Sequence, residues 1–214
     1  MKAEDLLDQE VVKNTSMKEF EFPLDFEFKV SSFANDFTAK DANGKTLAYV
    51  RQKMFKLKEA ISVFQDTSKE TLLYTINADR IIDFSANYLF KQNDGTSLGR
   101  VGRKGAKSIL KAHYEVFDNE DVLEFIINEE NPWAKVGDAF LSEIPVVGIF
   151  TGYMFNPKYI VKRPDGTEVA RLSKEKSFMG RRFKLSKLGE IQEGESERML
   201  LALMMMSLLE RRRG

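Results

Sequence analysis

The 214 residues contain no cysteine, a single histidine and a single tryptophan, and their formal charges cancel. Without cysteine there are no disulfides, thiolate metal sites, cysteine nucleophiles or palmitoylation, a pattern that suits a reducing compartment. With only His113 available, neither a histidine-based metal site nor a histidine-centred catalytic dyad can be assembled from His and Cys partners, so His113 is expected to be structural. The opening "MKAEDLLDQEVVKNTS" lacks a continuous apolar stretch, so no signal peptide is expected and the expected location is cytoplasmic. A net charge of zero gives no global pointer to nucleic acid. Charge is unevenly distributed, however: residues 151–214 hold 14 Lys/Arg against 8 Asp/Glu, which leaves that third basic and the rest acidic.

What is present is a repeat. Three stretches align without gaps around a turn glycine: "FTAKDANGKTLAYV" (37–50), "YLFKQNDGTSLGRV" (88–101) and "YIVKRPDGTEVARL" (159–172). Each has an aromatic seven residues before the glycine (Phe37, Tyr88, Tyr159) and a lysine four before it (Lys40, Lys91, Lys162). Asn or Asp immediately precedes Gly44, Gly95 and Gly166. Asn-Gly and Asp-Gly between apolar runs signal a two-residue hairpin turn in which both residues take positive φ. A small residue follows four later (Ala48, Gly99, Ala170) and an aliphatic six later (Val50, Val101, Leu172).

Each copy leads into a second alternating segment, "ISVFQDTSKETLLYTI" (61–76) and "YEVFDNEDVLEFII" (114–127), and "RFKLSKLGEI" (182–191) begins in the same way. The unit is two hairpins, repeated three times, which gives about twelve strands. Ahead of it, "FEFPLDFEFKV" (20–30) is apolar at every even position, a strand with one buried face, and Pro23 suggests a sheet edge or the start of the strand. The expected organisation is an N-terminal extension (1–19) and one domain (20–214) with a lid insertion at 131–150, where Trp133 sits and the alternation fails.

The chain closes on "SERMLLALMMMSLLERRRG". Between Met199 and Leu209 the only polar side chain is Ser207. Such a helix is apolar on every side and belongs in a core or a bilayer. Its eleven residues reach only about 16 Å, against a hydrocarbon core of about 30 Å, so it cannot span a membrane alone. A twelve-strand barrel is too wide for its own side chains to fill, and a helix over 196–210, about 22 Å long, fits the hole. Met199, Leu200, Leu203, Met204, Met206 and Leu208 are the expected central packing residues, with methionines filling irregular gaps. Ala48, Gly99 and Ala170 are expected to let the helix approach the wall. Glu195 and Glu197 at its start and Arg211 to Arg213 at its end would complement its dipole and mark where it leaves the core.

The fold expected is therefore mainly β, an antiparallel barrel of about twelve strands enclosing a C-terminal hydrophobic helix. Together with the "KDANG", "NDG" and "RPDG" hairpins, the run "GYMFNPKYIVKRPDGTEVARLSKEKSFMGRRFKL" (152–185) and the terminal "ERMLLALMMMSLLERRRG", this resembles the tubby-like fold of tubby domains, phospholipid scramblases and LURP-one-related proteins. The last two segments resemble bacterial scramblase-related and LURP-one-related proteins. The resemblance implies a module that associates with membranes or phospholipids and is not an enzyme: tubby domains bind phosphoinositide headgroups through a basic exterior patch, and scramblases are linked to lipid movement between leaflets. This chain departs from animal scramblases in having no cysteine-rich or proline-rich N-terminal segment and no Asp-x-Asp-x-Asp calcium loop.

Two basic clusters are the candidate headgroup contacts. "RVGRKGAKSILK" (100–111) supplies Arg100, Arg103, Lys104 and Lys107, and "SKEKSFMGRRFK" (173–184) supplies Lys174, Lys176, Arg181, Arg182 and Lys184. They occupy equivalent places between hairpins, so they should emerge at one end or face, with Gly102, Gly105 and Gly180 leaving backbone N–H groups open to an anion. The competing readings are solvated loops, a structural or interaction barrel whose protein partner meets the Trp133 lid or residues 1–19, and an enzyme using carboxylates near the lid. No cofactor or metal is expected. Nor is nucleic acid, because the 17 phenylalanines follow strand periodicity and do not form an exposed stacking platform.

Overall fold

Leu24, Phe26 and Phe28 alternate with Asp25, Glu27 and Lys29. In an extended chain this sets every second side chain on one face, and that face is buried. The computed structural model describes residues 20–30, 34–53, 60–79, 86–103, 112–130, 158–175 and 181–210. Residues 1–19 and the expected lid at 131–150 lie outside the described residues. Among those described there are twelve strands, β1 (Leu24–Val30), β2 (Ala34–Lys40), β3 (Thr46–Lys53), β4 (Ile61–Phe64), β5 (Leu72–Ala78), β6 (Asn87–Gln92), β7 (Ser97–Arg103), β8 (His113–Phe117), β9 (Leu123–Glu129), β10 (Lys158–Lys162), β11 (Glu168–Glu175) and β12 (Arg181–Lys187), followed by helix α1 (Glu195–Glu210).

Each strand pairs antiparallel with its sequence neighbours, and β12 pairs with β1, which closes the barrel. Closure removes the sheet edges, so Pro23 marks the start of β1 and not an edge. The twelfth position is also where the threefold repeat completes itself: the third unit runs out of strand after β12, and β1 from the chain start supplies the missing partner, with Phe26 opposite Phe183.

The inner face is apolar from Leu24 to Leu185, and α1 fills it. Every residue from Met199 to Met206 is 0% exposed, and Leu208 is buried as well. The central helix expected over 196–210 is thus present, beginning one residue earlier, at Glu195. It runs closest to β6, β7 and β8. Elsewhere aromatic side chains take up room, Phe37 meeting Phe26 and Phe28 with ring centroids 5.2 and 4.6 Å apart.

Two local expectations are corrected. The glycine turns are not two-residue turns with both residues at positive φ. Gly44, Gly95 and Gly166 have φ of 80°, 89° and 92°, but Asn43, Asp94 and Asp165 are not among the positive-φ residues described. The Gly44 N–H donates to the Asp41 carbonyl and the Asp41 N–H to the Lys45 carbonyl, the three-residue loop in which only the last residue is left-handed. Asp121, with φ of 65°, holds the glycine position in the β8–β9 turn. Gly99, for its part, is small because a Cβ there would lie 2.2 Å from the Phe117 carbonyl oxygen, the neighbouring strand's backbone and not the helix.

Candidate functional site

The antiparallel meander sorts the connections between strands. One end of the barrel carries the tight turns 41–45, 65–71, 93–96, 118–122 and 163–167 and the segment 188–194 that leads into α1. At the opposite end β7, β9 and β11 finish and β8, β10 and β12 begin. Of the described members of the two basic clusters, Arg103, Lys174 and Arg182 lie near strand termini at this second end, Arg100 and Lys184 lie mid-strand, and together they do not form one face. Their described members are strand residues, β7 being separated from β11 and β12 by β8, β9 and β10.

Alternation divides them further. Arg103, the last residue of β7, is in register with buried Tyr114 and so lies on the inner face, its guanidinium 6.0 Å from the tyrosine ring centre. Lys174 is also on the inner side, opposite Phe183. Arg100 points outward and is committed: its guanidinium lies 3.7 Å from the centre of the Phe117 ring, and it donates to Asp121 at 2.7 Å and to Asn87 Oδ1 at 2.8 Å. The hydrogen bond from Arg100 holds the Asp121 carboxyl below the usual carboxylate range. Arg182 and Lys184 are on the outer face of β12. Arg182 is 61% exposed and 3.6 Å from Glu27, and Lys184 is 3.6 Å from Glu175. Lys104, Lys107, Lys176 and the side chain of Arg181 lie outside the described residues, as do Gly105 and Gly180. Gly102 is not an open loop glycine: it sits within β7, paired with Asn87 on one side and Glu115 on the other. His113 faces outward, its Nδ1 2.7 Å from Asn128 Oδ1.

The turn end holds a constellation that the sequence reading missed. In all five hairpins from β2–β3 to β10–β11 the register slips by one residue next to the turn, a β-bulge. The extra residues are Leu47, Leu73, Leu98, Glu124 and Val169. A bulge re-aims a side chain, and here the four aliphatics join the core as a floor beneath α1. The fifth, Glu124, is a carboxylate, and both of its oxygens accept from Arg198 in the first turn of the helix, Nε to Oε2 at 2.6 Å and Nη2 to Oε1.

Two more polar contacts pin the same turn of helix. Arg163, from the β10–β11 turn, grips Glu195 with two hydrogen bonds of 2.8 and 2.9 Å. The Tyr74 hydroxyl donates to Glu197 at 2.6 Å. Glu195 and Glu197 are buried, so they do not mark where the helix leaves the core; they fasten it there. Burial raises the Glu195 pKa, but the Arg163 guanidinium, the Gln192 N–H and the nearby Arg198 outweigh it, and the carboxyl titrates below its ordinary range. A signal existed in the sequence. Three residues after the left-handed position stand Leu47, Leu98 and Val169, and after Asp121 stands Glu124. It was hidden because Asp121 does not look like a turn glycine.

Closed barrel, threefold hairpin repeat and buried C-terminal helix together define a tubby-like fold. The chain belongs to the LURP-one-related (LOR) family, whose model matches residues 46–206. That span runs from the start of β3 into the last turns of α1. No curated protein and no solved structure matches the chain. Among the described residues, no helix is long and apolar enough to cross a membrane.

Proposed function

We propose that this protein is a non-enzymatic module that associates with anionic phospholipid at a membrane surface, on the cytoplasmic side where such lipid is concentrated. The observation that carries the reading is positional. Arg103, Lys174 and Arg182, from three different strands, all lie within two residues of a strand terminus at the same end of the barrel. Each basic residue near an anionic surface contributes about 1 kcal/mol, so a few together suffice for reversible attachment. The buried polar groups support a binding role over catalysis: Tyr74, Glu124, Arg163, Glu195, Glu197 and Arg198 are engaged with one another in holding α1.

Co-sedimentation with phosphatidylcholine vesicles, with and without phosphatidylserine, tests the reading at low and high salt. Binding should require phosphatidylserine, fall as salt screens the charges, and weaken in Arg181→Gln/Arg182→Gln. No binding at low salt would overturn it and direct the search to a protein partner.

A further inference from the structure

The apolar run of α1 does not say how the helix should sit. Every residue from Met199 to Met206 is buried, so no face of that segment is set apart to meet a particular strand. Burial of apolar surface is non-directional, and Met199, Met204, Met205 and Met206 are flexible side chains that adapt to their surroundings. Four of the five bulge residues beneath the helix, Leu47, Leu73, Leu98 and Val169, are aliphatic as well. Such a helix could turn or slide in an apolar bore with little change in the area it buries, and cores of uniform, adaptable side chains specify a single packing poorly. Ser207, the one polar side chain between Met199 and Leu209, adds no direction, for its Oγ has no hydrogen-bond partner among the described residues.

The directional side-chain contacts described for α1 are all in its first turn, at Glu195, Glu197 and Arg198. Their partners come from three separate parts of the barrel: Arg163 in the β10–β11 turn, Tyr74 in β5 and Glu124 in the β9 bulge. Successive helical residues are about 100° apart, so passing round α1 from Glu197 it is about 100° to Arg198 and about 60° more to Glu195. With twelve strands in a closed ring, each strand occupies about 30° of the barrel. Tyr74 and Glu124 are then about 120° apart, and the β10–β11 turn lies about 45° beyond β9. The two sets of spacings agree, so one rotation of the helix closes all three contacts. Turning α1 by one residue would carry each polar group about 8 Å round the helix surface, out of line with every partner. Depth is tied at the same point. Glu195 also accepts the Gln192 N–H at 2.6 Å, and Arg163 donates to the Glu190 carbonyl at 3.0 Å, which joins the incoming 188–194 segment to the contact.

We infer that the first turn of α1 is a three-point key. The apolar run decides that the helix lies inside the barrel, and Glu195, Glu197 and Arg198 decide which of the many seats open to it is taken. Buried polar groups have this use in coiled coils, where one polar residue in an apolar seam sets register at a cost in stability. The consequence reaches beyond the first turn. α1 is a rod about 24 Å long, and a rotation at its start is a rotation along all of it, so the key sets which side chains the helix presents to β6, β7 and β8. The inference is independent of the lipid reading.

Methionine methyl signals in the NMR spectrum report the seat. In the full-length protein with isotope-labelled methionine methyl groups, Met199, Met204, Met205 and Met206 should each give one sharp signal, assigned by substituting them one at a time. The variant Tyr74→Phe/Glu124→Leu/Arg163→Leu/Glu195→Leu/Glu197→Leu/Arg198→Leu replaces both members of every contact, so no buried charge is stranded. The expected result is a folded protein with a cooperative urea transition, in which each of these signals splits into two or more or broadens away. Single sharp signals in the folded variant would overturn the inference, because apolar packing alone would then choose the seat. Should that variant not fold, Tyr74→Phe/Glu124→Leu/Glu197→Leu/Arg198→Leu, which keeps Arg163 and Glu195, is read in the same way. Failure of this one to fold would also overturn the inference, since the polar contacts would then be what holds the helix inside.

Discussion

Glu124 stands in a bulge position that is aliphatic in the other four hairpins, and this allows a sharp test of what holds the helix in place. Both partners of the Glu124–Arg198 pair are largely buried, with side-chain exposures of 12% and 14%. Removing one member of a buried pair strands the other charge, at a cost of about 3–5 kcal/mol, whereas replacing both by apolar groups is often neutral or stabilising. Glu124→Leu should therefore destabilise by about 3–5 kcal/mol even though leucine occupies the equivalent place in three other hairpins. Arg198→Leu should cost a similar amount by stranding the carboxylate. The double variant Glu124→Leu/Arg198→Leu should lie within about 1 kcal/mol of the wild type, because an aliphatic floor residue beneath an apolar helix is what most of the barrel already uses.

Urea unfolding followed by circular dichroism measures this directly. With an m-value of about 3 kcal/mol/M, near the upper end of the range for urea, each single variant should lower the midpoint by about 1 to 1.7 M and the double should restore most of it. The coupling between the two positions should then be about 5 kcal/mol or more, above the usual range for contacting residues because each single variant strands a buried charge. If the single variants cost under about 1 kcal/mol, Arg198 reaches water and the buried-charge argument does not apply. If the double variant is as unstable as the two singles added together, the two residues act independently and the clamp is not a unit.

Two further outcomes follow from the same geometry. Gly99→Ala should destabilise severely, since its Cβ would overlap the Phe117 carbonyl at 2.2 Å, whereas Gly95→Ala, with nothing within 4 Å, should cost only the left-handed backbone penalty of about 1–2 kcal/mol; equal thermal shifts for the two would refute the steric account. The Glu195 pKa is lowered in the folded protein, so its contribution is complete above the unfolded carboxylate value of about 4.3 and is lost as pH falls through the lower folded value. Urea midpoints measured from neutral to acid pH should show Glu195→Gln well below wild type at neutrality, with the gap closing under acid, and a constant gap would sink the assignment.

How much of this was legible in the sequence depended on whether the information was periodic. The two-residue period of β1 and the three glycine hairpins led to strands, strand number and closure, because burial of one face repeats along each strand. The helix was legible from Met199 to Leu209 because a segment with no polar face has nowhere to go but inside. The contacts that seat it were not. Tyr74 and Glu197 are 123 positions apart, Glu124 and Arg198 are 74 apart, and no local pattern links them. The candidate lipid-binding residues were half legible. Repeat equivalence pointed to one end for Arg103, Lys174 and Arg182, but Arg103 and Lys174 face inward while Arg182 and Lys184 face outward, a division set by register within β7, β11 and β12.

That division constrains where a function can reside. The inner face of the described strands is occupied by α1, whose residues from Met199 to Met206 have no solvent exposure, so a ligand entering the bore would have to displace a helix fastened by three sets of buried polar contacts. On the outer wall of β12, β1 and β11, Arg182 is matched with Glu27 and Lys184 with Glu175. Surface pairs of this kind add little stability, and Arg182, 61% exposed, remains open to an anionic partner beside its carboxylate. The six connections at the turn end, all described, carry ten acidic residues against three basic ones, and that end repels an anionic partner. A barrel whose bore is filled and whose turn end is acidic leaves the opposite end, where Arg103, Lys174 and Arg182 stand, as the place at which the proposed lipid contact is to be tested.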